Sequence, residues 1–106
     1  MIPQVTPAMV QARLTAGEDL TLVDVRESWE LAICALPQAQ HIAMGEIPER
    51  WRELPAHKSI VVICRSGQRS QHVAQFLQDK GLPLVENLAG GILAWGRDID
   101  PSLAAY

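Results

Sequence analysis

Ser59-Ile60-Val61-Val62-Ile63-Cys64-Arg65-Ser66-Gly67-Gln68-Arg69-Ser70 is the stretch that decides the fold. Ser59 to Ile63 is short, continuous and β-branched, which reads as a strand buried on both faces. Seven residues, Cys64 to Ser70, read as a tight loop, and Gln71 to Lys80 follow as a helix with Val73, Phe76 and Leu77 on one face. A cysteine at a strand end, before a helix N-terminus and between Arg65 and Arg69, stands where a thiolate is stabilised, and the thiolate is the reactive form of the residue.

Working outward, the same alternation continues in both directions. Thr6-Pro7 reads as an N-cap followed by a proline at the first helical position, with Val10 and Leu14 four apart and Gly17 as the stop. Leu20 to Val25 reads as a buried strand, Glu27 to Ile33 as a short helix, and Ala39 to Ile42 as a weak strand. Glu46 to Leu54 reads as one or two helical turns interrupted around Pro48. Leu84 to Asn87 is the last strand, after Gly81 closes the preceding helix. Gly90-Gly91 is a turn, Ile92 to Arg97 a final helix, and Pro101 to Tyr106 a loosely attached tail. Strands alternating with helices imply crossover connections, hence an α/β fold with a mainly parallel sheet of about five strands and helices on both faces. Ligands bind beyond the carboxyl ends of such strands, and Asp24 and Cys64 both fall at expected carboxyl ends.

The bulk properties bound the function. The 106 residues, 48% hydrophobic, suffice for one domain, 1–106, with a core that needs neither disulfide nor metal. The formal charge of −3 argues against nucleic acid as a partner. No apolar run approaches a membrane span, and no leader pattern is visible at Met1 to Val5, so a cytoplasmic location and no membrane partner are expected. Two cysteines are too few for a disulfide scaffold and read as independent thiols in a reducing compartment. His41, His57 and His72 share no metal-ligand spacing with either cysteine, so no metal is expected.

The loop carries the chemistry. Gly67 permits backbone angles closed to other residues, so several N–H groups can turn inward as an anion-binding nest. The helix dipole adds positive potential at the same point. Arg65 and Arg69 add charge, toward an anion or outward to solvent. Ser66 and Ser70 can donate hydrogen bonds or cap the helix. The fitting reaction is thiolate attack on an electrophilic centre within an oxyanion. Cysteine phosphatases share a Cys-x5-Arg loop, whereas Cys64 and Arg69 give Cys-x4-Arg. A cradle one residue shorter suits a sulfur atom carried on Cys64 better than a phosphoryl group.

These residues resemble a single-domain rhodanese, of the thiosulfate sulfurtransferase family. Cys64 to Ser70 is similar to that family's active-site loop, six residues from Cys64 to Arg69. Asp24-Val25-Arg26-Glu27 resembles its first signature, Leu36-Pro37 through Ile42 its middle stretch, and Leu88-Ala89-Gly90-Gly91-Ile92-Leu93-Ala94-Trp95 its closing signature. The middle stretch departs from the pattern, with Cys34 for glycine, Ala35 for histidine, Gln38 for glycine, His41 for asparagine and Ala43 for proline.

The resemblance implies a two-step reaction without metal or organic cofactor. Cys64 takes the outer sulfur of thiosulfate as a persulfide and gives it to a thiophilic acceptor such as cyanide or a thiol. Arg65, Ser66, Gly67, Gln68, Arg69 and Ser70 would bind the sulfur-containing anion, with a protein as an alternative donor or acceptor. Asp24, Arg26, Gly90, Gly91 and Trp95 are expected to be structural. Cys34 is expected to be a core or turn thiol, with a role as resolving partner as the other reading. Glu27 and Glu30 read as the solvated acidic start of a helix. Competing readings are a non-catalytic binding module of the same fold, a persulfide carrier, and a phosphatase or arsenate reductase, the last disfavoured by the loop spacing.

Overall fold

Five short strands carry the apolar runs: β1 Gln4–Val5, β2 Thr21–Asp24, β3 Gln40–His41, β4 Ile60–Ile63 and β5 Val85–Leu88. Four helices join them, α1 Pro7–Thr15, α2 Ser28–Ile33, α3 Ile47–Arg50 and α4 Gln68–Asp79, and α5 Gly91–Asp98 follows β5. The computed structural model describes all 106 residues. Every strand pair is parallel, in the order β1-β5-β4-β2-β3. The expected α/β fold with a parallel five-strand sheet is therefore observed.

Alternation along the central strands divides the core in two. Val23, Ile60, Val62 and Cys64 face α4 residues Val73, Ala74 and Leu77 on one side. Leu22, Val61 and Ile63 face Val10 of α1 and Ile92 and Trp95 of α5 on the other. Each buried Val, Ile or Leu among them contributes roughly 1.5–3 kcal/mol relative to exposure. β4 sits at the sheet centre, so its residues are buried on both faces, and that explains its unbroken apolar run.

Several local expectations need correction. α4 begins at Gln68, three residues before Gln71, because Gly67 at φ 101° turns the chain directly into the helix. Gln68, Arg69 and Ser70 are thus first-turn residues, and the free loop is shorter than Cys64 to Ser70. Pro48 interrupts nothing: it occupies the first turn of α3, where its missing N–H costs nothing, and 3-10 turns at Met44–Glu46 and Trp51–Glu53 flank it. The strand β1 was not foreseen. Two residues are too few for a periodic signal, and the Pro3 carbonyl and Val5 carbonyl hold it on β5 through Asn87 and Ala89.

The tail is not loose. Leu103 and Tyr106 pack against the core on the α5 side, and Tyr106 reaches the carboxyl rim of the sheet. That rim also holds Asp24 and Cys64, because Asp24 is in register with Ile63.

Candidate active site

Cys64 follows β4 directly, and its sulfur is the focus of the loop. Sγ accepts the N–H of Gly67 at 3.1 Å and of Ser70 at 3.3 Å, and lies 3.2 Å from Ser70 Oγ. The residue is 1% exposed. Burial pushes the thiol pKa up. The Ser70 hydroxyl and the N–H groups of Ser70, Gly67 and Ser66 pull it down and prevail, so it lies below its ordinary value. The site therefore favours an anionic sulfur, which is the nucleophilic form.

Two glycines make this shape available. Gly67 adopts a positive φ that turns its N–H toward the sulfur while its carbonyl accepts from Asn87 Nδ2 at 3.1 Å. Gly91 opens α5 at φ 59°, and a β-carbon there would collide with the carbonyls of Cys64 and Arg65. That close approach lets Ile92 and Leu93 donate their N–H groups to those same carbonyls at 2.9 and 3.1 Å. The Gly90-Gly91 turn is thus the backing of the Cys64 loop, and Trp95, 3% exposed, anchors α5 in the core.

Asp24 and Arg26 form a fully buried pair beside the loop. Arg26 Nε and Nη2 donate to the Asp24 carboxylate at 2.8–3.1 Å, and Nη2 also donates to the Cys34 carbonyl at 2.8 Å. Burial alone would lower the Arg26 pKa, but bonds to Asp24 and Tyr106 raise it above the ordinary value, so the guanidinium stays charged. The His41 ring bonds the Arg26 carbonyl at 2.7 Å. Cys34 lies under this pair, its sulfur 3.9 Å from Arg26 Nη1, and forms no disulfide.

Both loop arginines have protein partners. Arg69 donates Nη1 and Nη2 to the two oxygens of Glu30, each at 2.7 Å. Arg65 donates Nε and Nη2 to the Tyr106 carbonyl. Glu30 is consequently not a solvated helix-start residue: it is 2% exposed and also accepts from Tyr106 Oη and the Glu27 N–H. The Arg69 bonds, with the Glu27 and Tyr106 donors, hold its pKa down at about 2, against the opposing effect of burial. Tyr106 accepts from Arg26 Nη1 at 2.8 Å and meets Trp29 edge to face at 6.3 Å. Ser66 completes the loop, and Gln68, the first residue of α4, shares with Gln4, Gln71, His72 and Asn87 a polar cleft of about 410 Å³ against Gly67.

Three residues of this arrangement escape a sequence reading: Glu30, Asn87 and Tyr106. Asn87 carried a signal, since asparagine is disfavoured in a strand and so implies a buried polar task. Tyr106 carried none and Glu30 only that of a helix start, because the partners that bring them to the site are distant in sequence.

The chain matches the family model described as Rhodanese-like domain over residues 6–98. The chain belongs to the rhodanese-like domain family. YtwF of Bacillus subtilis (strain 168) is 42% identical to it over 100 residues, covering 94% of this chain and 96% of the relative. A sulfurtransferase of Allochromatium vinosum is 38% identical over 104 residues, covering 98% and 97%. Among solved structures, a rhodanese-like domain protein from Staphylococcus aureus superposes with a TM-score of 0.86 at 28% identity, covering 99% of both chains. This rhodanese-like chain therefore aligns with sulfurtransferase relatives along nearly its whole length, the Cys64 loop included, and a sulfurtransferase role in general follows.

Proposed function

We propose that the chain, acting as one domain over residues 1–106, moves sulfane sulfur from thiosulfate or a persulfide donor to a thiophilic acceptor through a persulfide on Cys64. The observation that carries this reading is the setting of one buried sulfur: it accepts from the Gly67 and Ser70 N–H groups and lies against the Ser70 hydroxyl, all within 3.3 Å.

In the first step the Cys64 thiolate attacks the outer sulfur of thiosulfate. The S–S bond of thiosulfate breaks, and sulfite leaves with its electron pair. In the second step an acceptor nucleophile attacks the sulfane sulfur, and the Cys64 thiolate leaves. This is covalent catalysis of the ping-pong type. The loop N–H groups face the Cys64 sulfur, which is anionic before the first transfer and again after the second, and such pre-aimed donors need no reorganisation during reaction. Arg65 and Arg69 are held at the rim by Tyr106 and Glu30, and Arg65, with no carboxylate side chain on it, is the cation placed to draw in a small anion. Two unpaired thiols support a reducing, cytoplasmic setting.

The test is an intact mass after incubation with thiosulfate, then again after cyanide. One added sulfur, lost to cyanide and absent in Cys64→Ser, is the expected result. No adduct with thiosulfate or with a persulfide donor would sink the reading in favour of a binding module. An adduct formed only from a protein persulfide would assign the role of carrier.

A further inference from the structure

Asn87 stands behind the reactive sulfur, and its side chain is locked in one orientation. Its Nδ2 donates to the Gly67 carbonyl at 3.1 Å, an atom that can only accept. It also donates to Gln4 Oε1 at 2.9 Å, and Gln4 is itself oriented by donating Nε2 to the Ile2 carbonyl. Asn87 Oδ1 must therefore face Ser70, whose Oγ lies 2.5 Å away. An amide oxygen carries no hydrogen, so Ser70 donates to it.

A serine hydroxyl has one hydrogen. With that hydrogen on Asn87, the 3.2 Å contact between Ser70 Oγ and Cys64 Sγ needs the sulfur as donor. A thiol satisfies this. A thiolate has no hydrogen and would face a lone pair at the same distance. Ser70 and Cys64 are 0% and 1% exposed, so bulk water does not reach in to resolve the conflict. Turning the hydroxyl about its C–O bond does, at the expense of leaving Asn87 Oδ1 without a donor.

We propose that the Ser70 hydroxyl is a two-position hydrogen-bond switch, donating to Asn87 while Cys64 is a thiol and to the sulfur while Cys64 is anionic. Asn87 is a positioning residue that acts on Cys64 through Ser70 and competes with the sulfur for one hydrogen. This rests on Cys64 being the reactive sulfur, as proposed above. The charged and titratable groups near the loop are Arg65 of the loop, Arg69 and His72 of α4, Glu30 of α2, the Asp24–Arg26 pair at the end of β2 and Tyr106 of the tail; on β5, Glu86 is turned away to Arg13. None of them differs between the variants compared below.

The test follows Cys64 carboxamidomethylation by iodoacetamide against pH in a Cys34→Ser background, which needs no sulfur transfer. A failure with thiosulfate therefore leaves this test intact. Asn87→Leu removes the competing acceptor, and the alkylation midpoint is expected to fall by about half a unit, leaving about threefold more thiolate below it. Loss of the Gly67 anchor alone would loosen the loop and raise the midpoint, so the sign separates the switch from structural damage. Ser70→Ala is expected to raise the midpoint, and adding Asn87→Leu to it is expected to cause no fall. A raised or unchanged midpoint in a folded Asn87→Leu protein overturns the proposal. So does an equal fall in both backgrounds. Should Asn87→Leu not fold, the infrared S–H band of the Cys34→Ser protein decides instead. A hydrogen-bonded band that moves to the free position in Ser70→Ala supports the switch, and a band already free overturns it.

Discussion

Glu30 of α2 and Arg69 of α4 meet through two parallel hydrogen bonds of 2.7 Å although 39 positions separate them. The pair ties the helix after β2 to the helix that carries the Cys64 loop. Paired, fork-shaped contacts of this kind fix orientation as well as charge. Arg69 is thus held in place before any substrate arrives.

Arg69→Ala leaves the Glu30 carboxylate buried with only Tyr106 Oη and the Glu27 N–H as donors. The loss is expected to destabilise the fold by about 2 kcal/mol, measured by urea unfolding. It also removes a cation close enough to Cys64 to sense its charge, so the alkylation midpoint of Cys64 is expected to rise. Arg69→Lys restores charge without the two-pronged geometry and should recover the midpoint more fully than the stability.

The same pair predicts an acid limb. Glu30 is held at about 2, against 4.5 for an unperturbed glutamate. A lowered folded-state pKa means stability that is fully present above the unfolded value and lost as pH falls through the folded one. The contribution, on the order of 3 kcal/mol at neutral pH, should therefore drain away between pH 4.5 and about 2. Urea midpoints measured across that range should fall steeply in the wild type. In Glu30→Gln the slope over the same range should be visibly shallower, and an identical slope would remove Glu30 from the account.

The sequence made the centre of this fold legible and hid its rim. β2 and β4 are covered on both faces, so their apolar runs announce them. β1 and β3 have two residues each, so β1 gives no sequence signal of its own and β3 only the weak one at Ala39 to Ile42. The Cys64 loop was legible because its cradle is local, formed within a few residues of one backbone turn. The start of α4 was misjudged because serine is a common N-cap, whereas here Gly67 makes the turn and Ser70 serves the sulfur. Glu30 and Tyr106 were illegible for a physical reason: Tyr106 finds Arg26 across 80 positions and Arg65 across 41. No local pattern encodes contacts of that span.

Tyr106→Phe tests the tail. The change removes an acceptor from Arg26 Nη1 and a donor from Glu30 Oε1 while keeping the ring beside Trp29. A loss of about 1–2 kcal/mol is expected, because both partners are charged and keep other bonds. For a domain of this size each kcal/mol corresponds to roughly 4–8 °C in Tm. An unchanged Tm would mean that the tail rests on the rim without contributing to it.

Asp24→Asn tests the neighbouring pair. Arg26 is 0% exposed and keeps its charge through Asp24. Removing the carboxylate strands a buried cation, which typically costs about 3–5 kcal/mol. Urea unfolding should show a loss of that order, and Arg26→Lys should not be tolerated either, since an ammonium cannot reach Asp24 and the Cys34 carbonyl in the same fork. A near-neutral Asp24→Asn would mean that Tyr106 and the Cys34 carbonyl suffice to hold the guanidinium.

Gly91→Ala addresses the backing of the loop rather than its contents. A β-carbon at Gly91 would run into the carbonyl oxygens of Cys64 and Arg65, and both are backbone atoms that cannot rotate aside. The residue also sits at φ 59°, where a side chain costs about 1–2 kcal/mol by itself. Relief requires α5 to withdraw, which breaks the bonds from Ile92 and Leu93 to those carbonyls. The loop would then lose the support that aims its N–H groups at the sulfur. The expected outcome is a protein that remains folded by circular dichroism, with a raised Cys64 alkylation midpoint and persulfide formation from thiosulfate slowed at least tenfold, about 1.4 kcal/mol in the barrier. Gly96→Ala is the control: the nearest atom to its new β-carbon is Leu103 Cβ at 3.6 Å, an ordinary contact. If the two variants behave alike, close packing of α5 against the Cys64 loop is not what shapes the cradle.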